Sequence, residues 1–148
     1  MFTIEKEFHF SSAHSLDGLG KDHQCSRLHG HNYIIKVKLA SDNLDEKSFV
    51  QDYGELKPIK EFIDGYWDHR FLANSPSQGK KYNVEDECFC LGDDKMPYQT
   101  SAENLAMYLY HKFKQDFPAL IAVGISETPK TWAWYSQENQ QRIFRAYK

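Results

Sequence analysis

Apolar and polar residues alternate along the beginning of the chain. The run extends from Phe2 to Phe10 and only Lys6 interrupts it. Because successive side chains of a strand point to opposite faces, the pattern predicts a half-buried β-strand. A second alternating run, about Asn32 to Ala40, predicts a second strand. We expect the two strands to pair as an antiparallel hairpin with a long functional loop between them.

Two later segments carry the periodicity of amphipathic helices. Asp52 can cap the first helix, and Thr100 to Glu103 form a capping box for the second, which ends before Pro118. The predicted buried positions are Leu56, Ile59, Ile63 and Trp67 in the first helix and Ala102, Leu105, Ala106, Leu109, Phe113 and Phe117 in the second.

The remaining segments predict strands, turns and one long loop. Ala119 to Ser126 and Thr131 to Tyr135 predict strands, and Arg142 to Tyr147 a last short one. Ala73 to Met96 is polar and turn-rich, so we expect a loop with an ordered piece near Glu87–Leu91. The order β-β-α-α-β-β predicts an α+β domain, a four-stranded antiparallel sheet with two helices on one face.

Composition narrows the class of protein. The 148 residues contain no internal repeat and suit a single domain, 1–148. A net charge of −3 argues against a sequence-independent nucleic-acid binder. Three cysteines, an odd number, and the absence of a secretion signal at the start favour a cytoplasmic location. No apolar run is long enough to cross a membrane, so we expect neither nucleic acid nor membrane as a partner.

Histidines at the start of the second strand are the first candidates for chemistry. His29 and His31 are two residues apart, so on a strand both imidazoles face the same side and can reach one ion. Gly30 between them leaves room for backbone and metal to approach closely. His14, at the end of the first strand, can supply a third nitrogen. Three histidines leave a fourth position open, which is typical of catalytic zinc.

The residues alone leave other interpretations open. His-x-His can be a pair on a solvated strand. Cys25 lies four residues before the histidine pair and can reach the same place, although a lone cysteine is more often an inert thiol. Asp68-His69 follows a helix, where such a pair more often caps it. Cys88 and Cys90 could be read as a second metal-binding pair, but Cys25 is the only other cysteine in the chain. Both therefore stay unassigned thiols.

Several motifs follow one another over nearly the whole chain. They are Phe-x-Phe-x-x-Ala-His ending at His14, Cys-x-x-x-His-Gly-His-x-Tyr from Cys25 to Tyr33, Asp52 to Lys57, Asp68-His69, Thr100 to Leu105 and Ser126 to Thr128. Together they resemble the 6-pyruvoyltetrahydropterin synthase / 6-carboxytetrahydropterin synthase family. The resemblance implies the tunnelling fold, whose sheets join into a barrel, with active sites between the subunits of a homo-oligomer, a hexamer by resemblance. The segment Ala73 to Met96 is longer than in compact members.

The resemblance also implies a chemistry. Members are lyases that act on 7,8-dihydroneopterin triphosphate with a bound Zn²⁺. Cys25 would transfer a proton. His69, oriented by Asp52 or Asp68, is its candidate partner, and the resemblance points to Asp68 and His69 as the family's Asp-His pair. The implied zinc ligands are His14, His29 and His31.

The same resemblance implies substrate contacts. Glu127 would bind the pterin edge, where one carboxylate can accept two N–H groups. Thr100 and Ser101 are first a helix cap and would contact the pterin in a second role. Arg27, on the Cys25 loop, would meet the triphosphate; a plain surface charge is the equal alternative.

The spacing between Cys25 and His29 bears on the product. Cys25 lies four residues before His29, which resembles the short spacing of the family members that make 6-carboxy-5,6,7,8-tetrahydropterin. That reaction is an early step toward 7-deazaguanine (queuosine-type) nucleosides. We therefore expect release of acetaldehyde and triphosphate. The alternatives are triphosphate elimination without carbon–carbon cleavage, which gives 6-pyruvoyltetrahydropterin, and a non-catalytic zinc- or pterin-binding protein.

Overall fold

The structure is a computed structural model that describes residues 1–137. Its central feature is the predicted hairpin of two long antiparallel strands, β1 (Phe2–His14) and β2 (His29–Ser41). Phe2 pairs with Ser41 at one end, and His14 pairs with His29 at the other. The loop of residues 15–28 therefore leaves and returns at the end of the hairpin that carries the histidines.

Four shorter strands extend the hairpin to a six-stranded mixed sheet. They are β3 (Phe71–Ala73), β4 (Cys88–Cys90), β5 (Leu120–Ser126) and β6 (Ala133–Tyr135), and the order across the sheet is β4-β3-β1-β2-β5-β6. β3 runs parallel to β1 and to β4, whereas β5 and β6 continue the sheet antiparallel. The predicted four-stranded antiparallel sheet is therefore wrong in strand number and direction, because two parallel strands, β3 and β4, join it. β4 comes from the segment expected to be a loop, whereas β3 lies almost entirely before that segment.

The first predicted helix forms in three short pieces. A 3₁₀ turn (Tyr53–Leu56) leads into helix α1 (Lys57–Phe62), which continues as a π-helical turn (Ile63–Trp67). The Asp52 carboxylate accepts the N–H of Gly54 at 2.8 Å, which confirms the predicted cap.

The segment from residue 73 to residue 96 is more ordered than predicted. It contains helix α2 (Pro76–Lys81), a 3₁₀ turn (Glu85–Glu87) and β4. β4 lies within the piece near Glu87–Leu91 where order was expected. α2 was missed because it has six residues with Pro76 and Gly79 among them and shows no helical repeat.

The second predicted helix is α3 (Ala102–Phe113). The Ser101 hydroxyl accepts the N–H of Asn104 at 3.3 Å, so Ser101 is its N-cap. α1 and α3 contribute to one core with the same face of the sheet, as predicted. The core includes Phe8, Phe10, Tyr33, Ile35, Val37, Leu39, Leu56, Ile59, Ile63, Trp67, Leu105, Leu109 and Phe113.

The opposite face of the hairpin is polar. Across the two strands, Lys36 Nζ lies 3.8 Å from Glu7 Oε1, and Lys38 Nζ lies 3.4 Å from Glu5 Oε1.

The predicted strand from Arg142 to Tyr147 lies outside the described residues. Within residues 1–137, no helix combines the length and the apolar character that crossing a bilayer demands.

Candidate functional site

The hairpin register brings the predicted metal ligands together. His14 lies opposite His29, and His31 lies opposite Ser12, on the buried face of the two strands. The three ring centres are 4.6, 4.8 and 5.1 Å apart. One nitrogen of each ring can be chosen so that all three lie within 4.8 Å of one another. Side-chain alternation on two paired strands is therefore sufficient to build the cluster.

Hydrogen bonds orient two of the rings. His14 Nδ1 lies 2.9 Å from the carbonyl oxygen of Thr100, and His29 Nδ1 lies 2.6 Å from that of Arg27. Because a carbonyl can only accept, each Nδ1 carries the proton and each Nε2 keeps a free lone pair. This is the tautomer that a metal ligand needs, held by the kind of partner that supports metal-bound histidines.

Two of the ligand nitrogens are buried without a partner. Among the described residues, His14 Nε2 and His31 Nε2 make no hydrogen bond. Burial of an unpaired polar atom is costly, so such atoms call for an explanation. A metal ion at the centre of the cluster would satisfy both, and a set of three imidazoles suits zinc. The residues fit a metal ion.

Burial also controls the charge of the cluster. It lowers the pKa of His14 to about 4, further reduced by His29 and His31 and opposed by the Thr100 carbonyl. Burial, with a contribution from His29, likewise lowers the pKa of His31. Both rings are therefore neutral at neutral pH, which is the form that binds metal.

Glu127, which the resemblance assigns to substrate binding, borders the same cluster. Its position beside the histidines could not be predicted from the sequence pattern. Glu127 directly follows β5, whose last residue, Ser126, pairs with Ile34 of β2. Its Oε2 lies 3.8 Å from His31 Nε2 and its Oε1 lies 4.0 Å from His14 Nε2. These contacts are not ion pairs, because the rings are neutral. Burial, together with Glu103, raises the pKa of Glu127.

Cys25 lies on the loop that joins the ends of the hairpin. It sits in a 3₁₀ turn, where its N–H donates to His23 Nδ1 at 3.1 Å. Its carbonyl accepts the N–H of Leu16 at 2.8 Å, which closes the base of the loop. Its sulfur is not part of the group of ligand atoms in the described chain. Arg27 is exposed on the same loop, and its carbonyl contacts His29.

Thr100 and Ser101 contact other parts of the protein. Thr100 is fully buried; its carbonyl accepts from His14, and its hydroxyl donates to the carbonyl of Leu72 at 3.1 Å. Ser101 caps α3. The helix-cap role is confirmed for Ser101 and is wrong for Thr100, whose hydroxyl bonds Leu72 instead. Contact of either residue with a substrate stays a prediction.

Of the two residues predicted to orient His69, Asp52 and Asp68, the structure places Asp68 beside it. Asp68 Oδ2 lies 2.9 Å from His69 Nδ1, while Asp68 Oδ1 accepts the N–H of Ser11 at 2.9 Å. The Ser11 bond, and then His69, lower the pKa of Asp68. Asp52, the other candidate partner, caps the 3₁₀ turn instead.

The Asp68–His69 pair shares a cavity with the cluster but does not contact it directly in one chain. No hydrogen bond or ring contact joins His69 to Cys25 or to the three histidines within residues 1–137. The His69 side chain is 82 % exposed. It lines a cavity of about 540 Å³ together with Asn32, Arg70 and Tyr82, and His31 borders the same cavity.

Comparison with known proteins identifies the family. Residues 3–138 match the family described as 6-pyruvoyl tetrahydropterin synthase. The chain is 30% identical to the 6-carboxy-5,6,7,8-tetrahydropterin synthase of Haemophilus influenzae over 148 residues, which cover 93% of this chain and all (100%) of the relative. It is 27% identical to the protein of that name from Bacillus subtilis, with 90% of this chain and 84% of the relative covered.

Solved structures agree with this result. An uncharacterized protein from Wolinella succinogenes superposes with a TM-score of 0.75 at 21% identity, covering 92% of this chain and 98% of that one, and it shows the fold alone. The Caenorhabditis elegans 6-pyruvoyl tetrahydropterin synthase superposes with a TM-score of 0.68 at 26% identity, covering 91% and 94%. The chain belongs to the 6-pyruvoyl tetrahydropterin synthase family, which confirms the resemblance and the prediction of a lyase-type enzyme.

Proposed function

We propose that the protein converts 7,8-dihydroneopterin triphosphate to 6-carboxy-5,6,7,8-tetrahydropterin, with release of acetaldehyde and triphosphate. The observation that carries the proposal is the convergence of three imidazoles with unpaired, buried nitrogens. The choice of product is supported by the names of the curated relatives and by the short spacing between Cys25 and His29. The pathway would be the one that leads to 7-deazaguanine (queuosine-type) nucleosides, in the cytoplasm.

Zinc is the metal proposed for the cluster. His14, His29 and His31 would hold it through Nε2 and leave a position for the substrate. When bound, zinc supplies a Lewis acid that polarises a substrate oxygen. The Thr100 and Arg27 carbonyls keep the proton on Nδ1 of His14 and His29, so that the ligand nitrogens stay available.

The protein's own groups would bind the substrate and move its protons. Glu127, beside the cluster, would accept the N–H groups of the pterin edge, and Ser101 and Thr100 would line that end. Cys25 would transfer a proton on the substrate side chain, since the loop that carries it closes at the histidine end of the hairpin. Arg27, exposed on this loop, would contact the triphosphate.

The Asp68–His69 pair would serve a site shared between two copies. Its ring is exposed and makes no contact with its own chain's Cys25 in the described residues. Asp68 holds the Nδ1 proton of His69 and leaves Nε2 free to exchange a proton with a partner copy's thiol.

One assay tests the proposal. Purified, zinc-loaded protein is incubated with 7,8-dihydroneopterin triphosphate, and all products are identified by mass. Acetaldehyde should appear in step with triphosphate. Cys25→Ala is the matched control: it should keep zinc and fold yet lose turnover by about 10²- to 10⁴-fold, the usual contribution of a positioned acid–base group. Near-normal turnover in this variant would assign proton transfer to another residue.

The second candidate is the 6-pyruvoyltetrahydropterin synthase reaction. It is favoured by the 26% identity with the enzyme of that name from Caenorhabditis elegans. Triphosphate together with 6-pyruvoyltetrahydropterin, and no acetaldehyde, would establish it. No product at all from zinc-loaded protein would favour a protein that only binds zinc or pterin.

A further inference from the structure

A buried glutamine of helix α2 contacts the chain next to the metal cluster. Gln78 is 3 % exposed. Its side-chain nitrogen donates to the carbonyl of Ser15 at 3.0 Å and to Ser15 Oγ at 3.2 Å. Its side-chain oxygen accepts the N–H of Asn74 at 2.7 Å. The amide orientation is determined, because the nitrogen faces two oxygens and the oxygen faces an N–H.

Ser15 directly follows the metal-ligand candidate His14 and is itself fully buried. Its carbonyl has no access to water, so the Gln78 amide fixes where the chain leaves β1. Asn74 adds a second link to the same loop, since its Nδ2 donates to Asp17 Oδ2 at 2.9 Å. In the segment expected to be a loop, Gln78 thus holds the main chain just after His14, and Asn74 holds the side chain of Asp17.

The residue just before this segment's start contacts the other side of His14. Leu72 pairs with His14 across β3 and β1, and its carbonyl accepts the hydroxyl proton of Thr100 at 3.1 Å. The Thr100 carbonyl in turn accepts from His14 Nδ1. Residues 72–78 therefore fix both the backbone that follows His14 and the group that orients its ring.

We propose that Gln78 is a positioning residue for the metal cluster. It holds Ser15 so that His14 Nε2 stays aimed at the ligand nitrogens of His29 and His31. The inference rests on the proposed function, since it requires a metal in the cluster. Removal of groups that orient metal ligands typically weakens metal binding by about 10- to 100-fold, and a loss of that size is expected here.

The test measures metal affinity directly. Gln78→Met keeps the length of the side chain and removes both its donors and its acceptor. Co²⁺ binding to the purified full chain is followed by its visible spectrum, in competition with a chelator. The variant should bind Co²⁺ about 10- to 100-fold more weakly than wild type, with an altered spectrum at saturation. Gln78→Glu should be impaired as well, since an ionised carboxylate cannot donate to Ser15; because this variant keeps an acceptor for Asn74, it separates loss of the donor from loss of the acceptor.

A destabilising control separates positioning from stability. Phe117 is buried in the core beyond the far end of α3, a 12-residue helix about 18 Å long. Phe117→Leu should lower the free energy of unfolding in urea and leave Co²⁺ affinity unchanged. If both Gln78 variants lose stability but bind Co²⁺ as wild type does, Gln78 is only structural and the inference is wrong. If the wild-type chain binds neither Co²⁺ nor Zn²⁺, the proposed function fails and the inference fails with it.

Discussion

His14 shows how one side chain acquires a defined chemical state from its surroundings. Its Nδ1 faces a backbone carbonyl, and its Nε2 is buried with no partner in the described chain. Burial lowers its pKa to about 4, so protonation is an expensive way to satisfy the free nitrogen. A metal ion, which accepts the lone pair of Nε2, satisfies this nitrogen without adding a proton. This argument applies to His31 as well, because its Nε2 is also unpaired and its pKa is also lowered.

The first prediction at this scale concerns metal content. Wild-type protein should carry about one zinc per chain, as expected for three histidine ligands and an open position. His31→Ala should lose most of it, because two remaining imidazoles bind zinc far more weakly. His9→Ala, at an exposed strand position, is the control and should keep the metal. Elemental analysis after dialysis measures both, and full zinc retention in His31→Ala would contradict the assignment.

The second prediction concerns Asp68 and acid. Its pKa is lowered in the folded protein, mainly by the Ser11 N–H. A lowered carboxylate pKa contributes stability above the unfolded-state value of about 3.9, and the contribution disappears as pH falls through the folded-state value. Asp68→Asn should therefore be less stable at neutral pH, by up to about 1 kcal/mol for such a part-exposed group. The difference should vanish in strong acid.

Urea unfolding at a series of pH values checks this expectation. The same series on Asp42→Asn, at an exposed position, is the control. A difference between Asp68→Asn and wild type that stays constant down to strong acid would show that the charge of Asp68 has no part in stability.

At the scale of elements, local pattern predicted the long elements and the short antiparallel strand β6, but it missed β3 and α2 and did not identify β4 as a strand. β1, β2 and α3 extend over many residues, so their alternation or helical repeat is unambiguous. β3 and β4 have three residues each, too few to show a period. Their pairing is parallel and depends on contacts between distant parts of the chain, which a local pattern does not contain.

The residues of the candidate site likewise include some that local pattern predicts and some that only distant contacts bring into place. The three histidines share one hairpin, so side-chain alternation alone brings them together. Glu127 reaches them only because β5 pairs with β2. Gln78 reaches Ser15, next to His14, only because α2 packs against the start of the loop after β1. A carboxylate directly after a strand is a usable signal once that pairing is known. A glutamine within an aperiodic segment gives no signal.

The element-scale prediction concerns the start of α3. Ser101 satisfies one of the N–H groups that no helical carbonyl can reach, by accepting from Asn104. Ser101→Ala should lower the free energy of unfolding by about 1 kcal/mol, the usual cost of losing such a cap. Ser101→Asp keeps an acceptor and should lose much less. Thermal or urea unfolding distinguishes the two, and equal losses would show that the hydroxyl does not act as a cap.

At the scale of the whole molecule, the sheet presents two edges. β4 forms one edge and β6 the other, and neither has an outer partner within the described residues. Unpaired edges expose backbone groups that proteins generally cover or pair. The exposed Asp68–His69 pair lies beside a cavity on the same molecule. Both features would be explained by further copies of this chain, which would pair the edges and complete the site.

The last prediction tests this assembly and the shared site together. Light scattering at micromolar concentration should give a ring-forming homo-oligomer, and a hexamer of the 17.4 kDa chain would have about six times that mass. Cys25→Ala and His69→Ala should each be inactive on their own. When the two variants are unfolded and refolded as a mixture, activity should reappear, because some interfaces then combine an intact Cys25 from one copy with an intact His69 from another. Each variant refolded alone is the control. A monomer under all conditions would contradict the assembly, whereas an oligomer whose mixed form stays inactive would place Cys25 and His69 in the same copy's site.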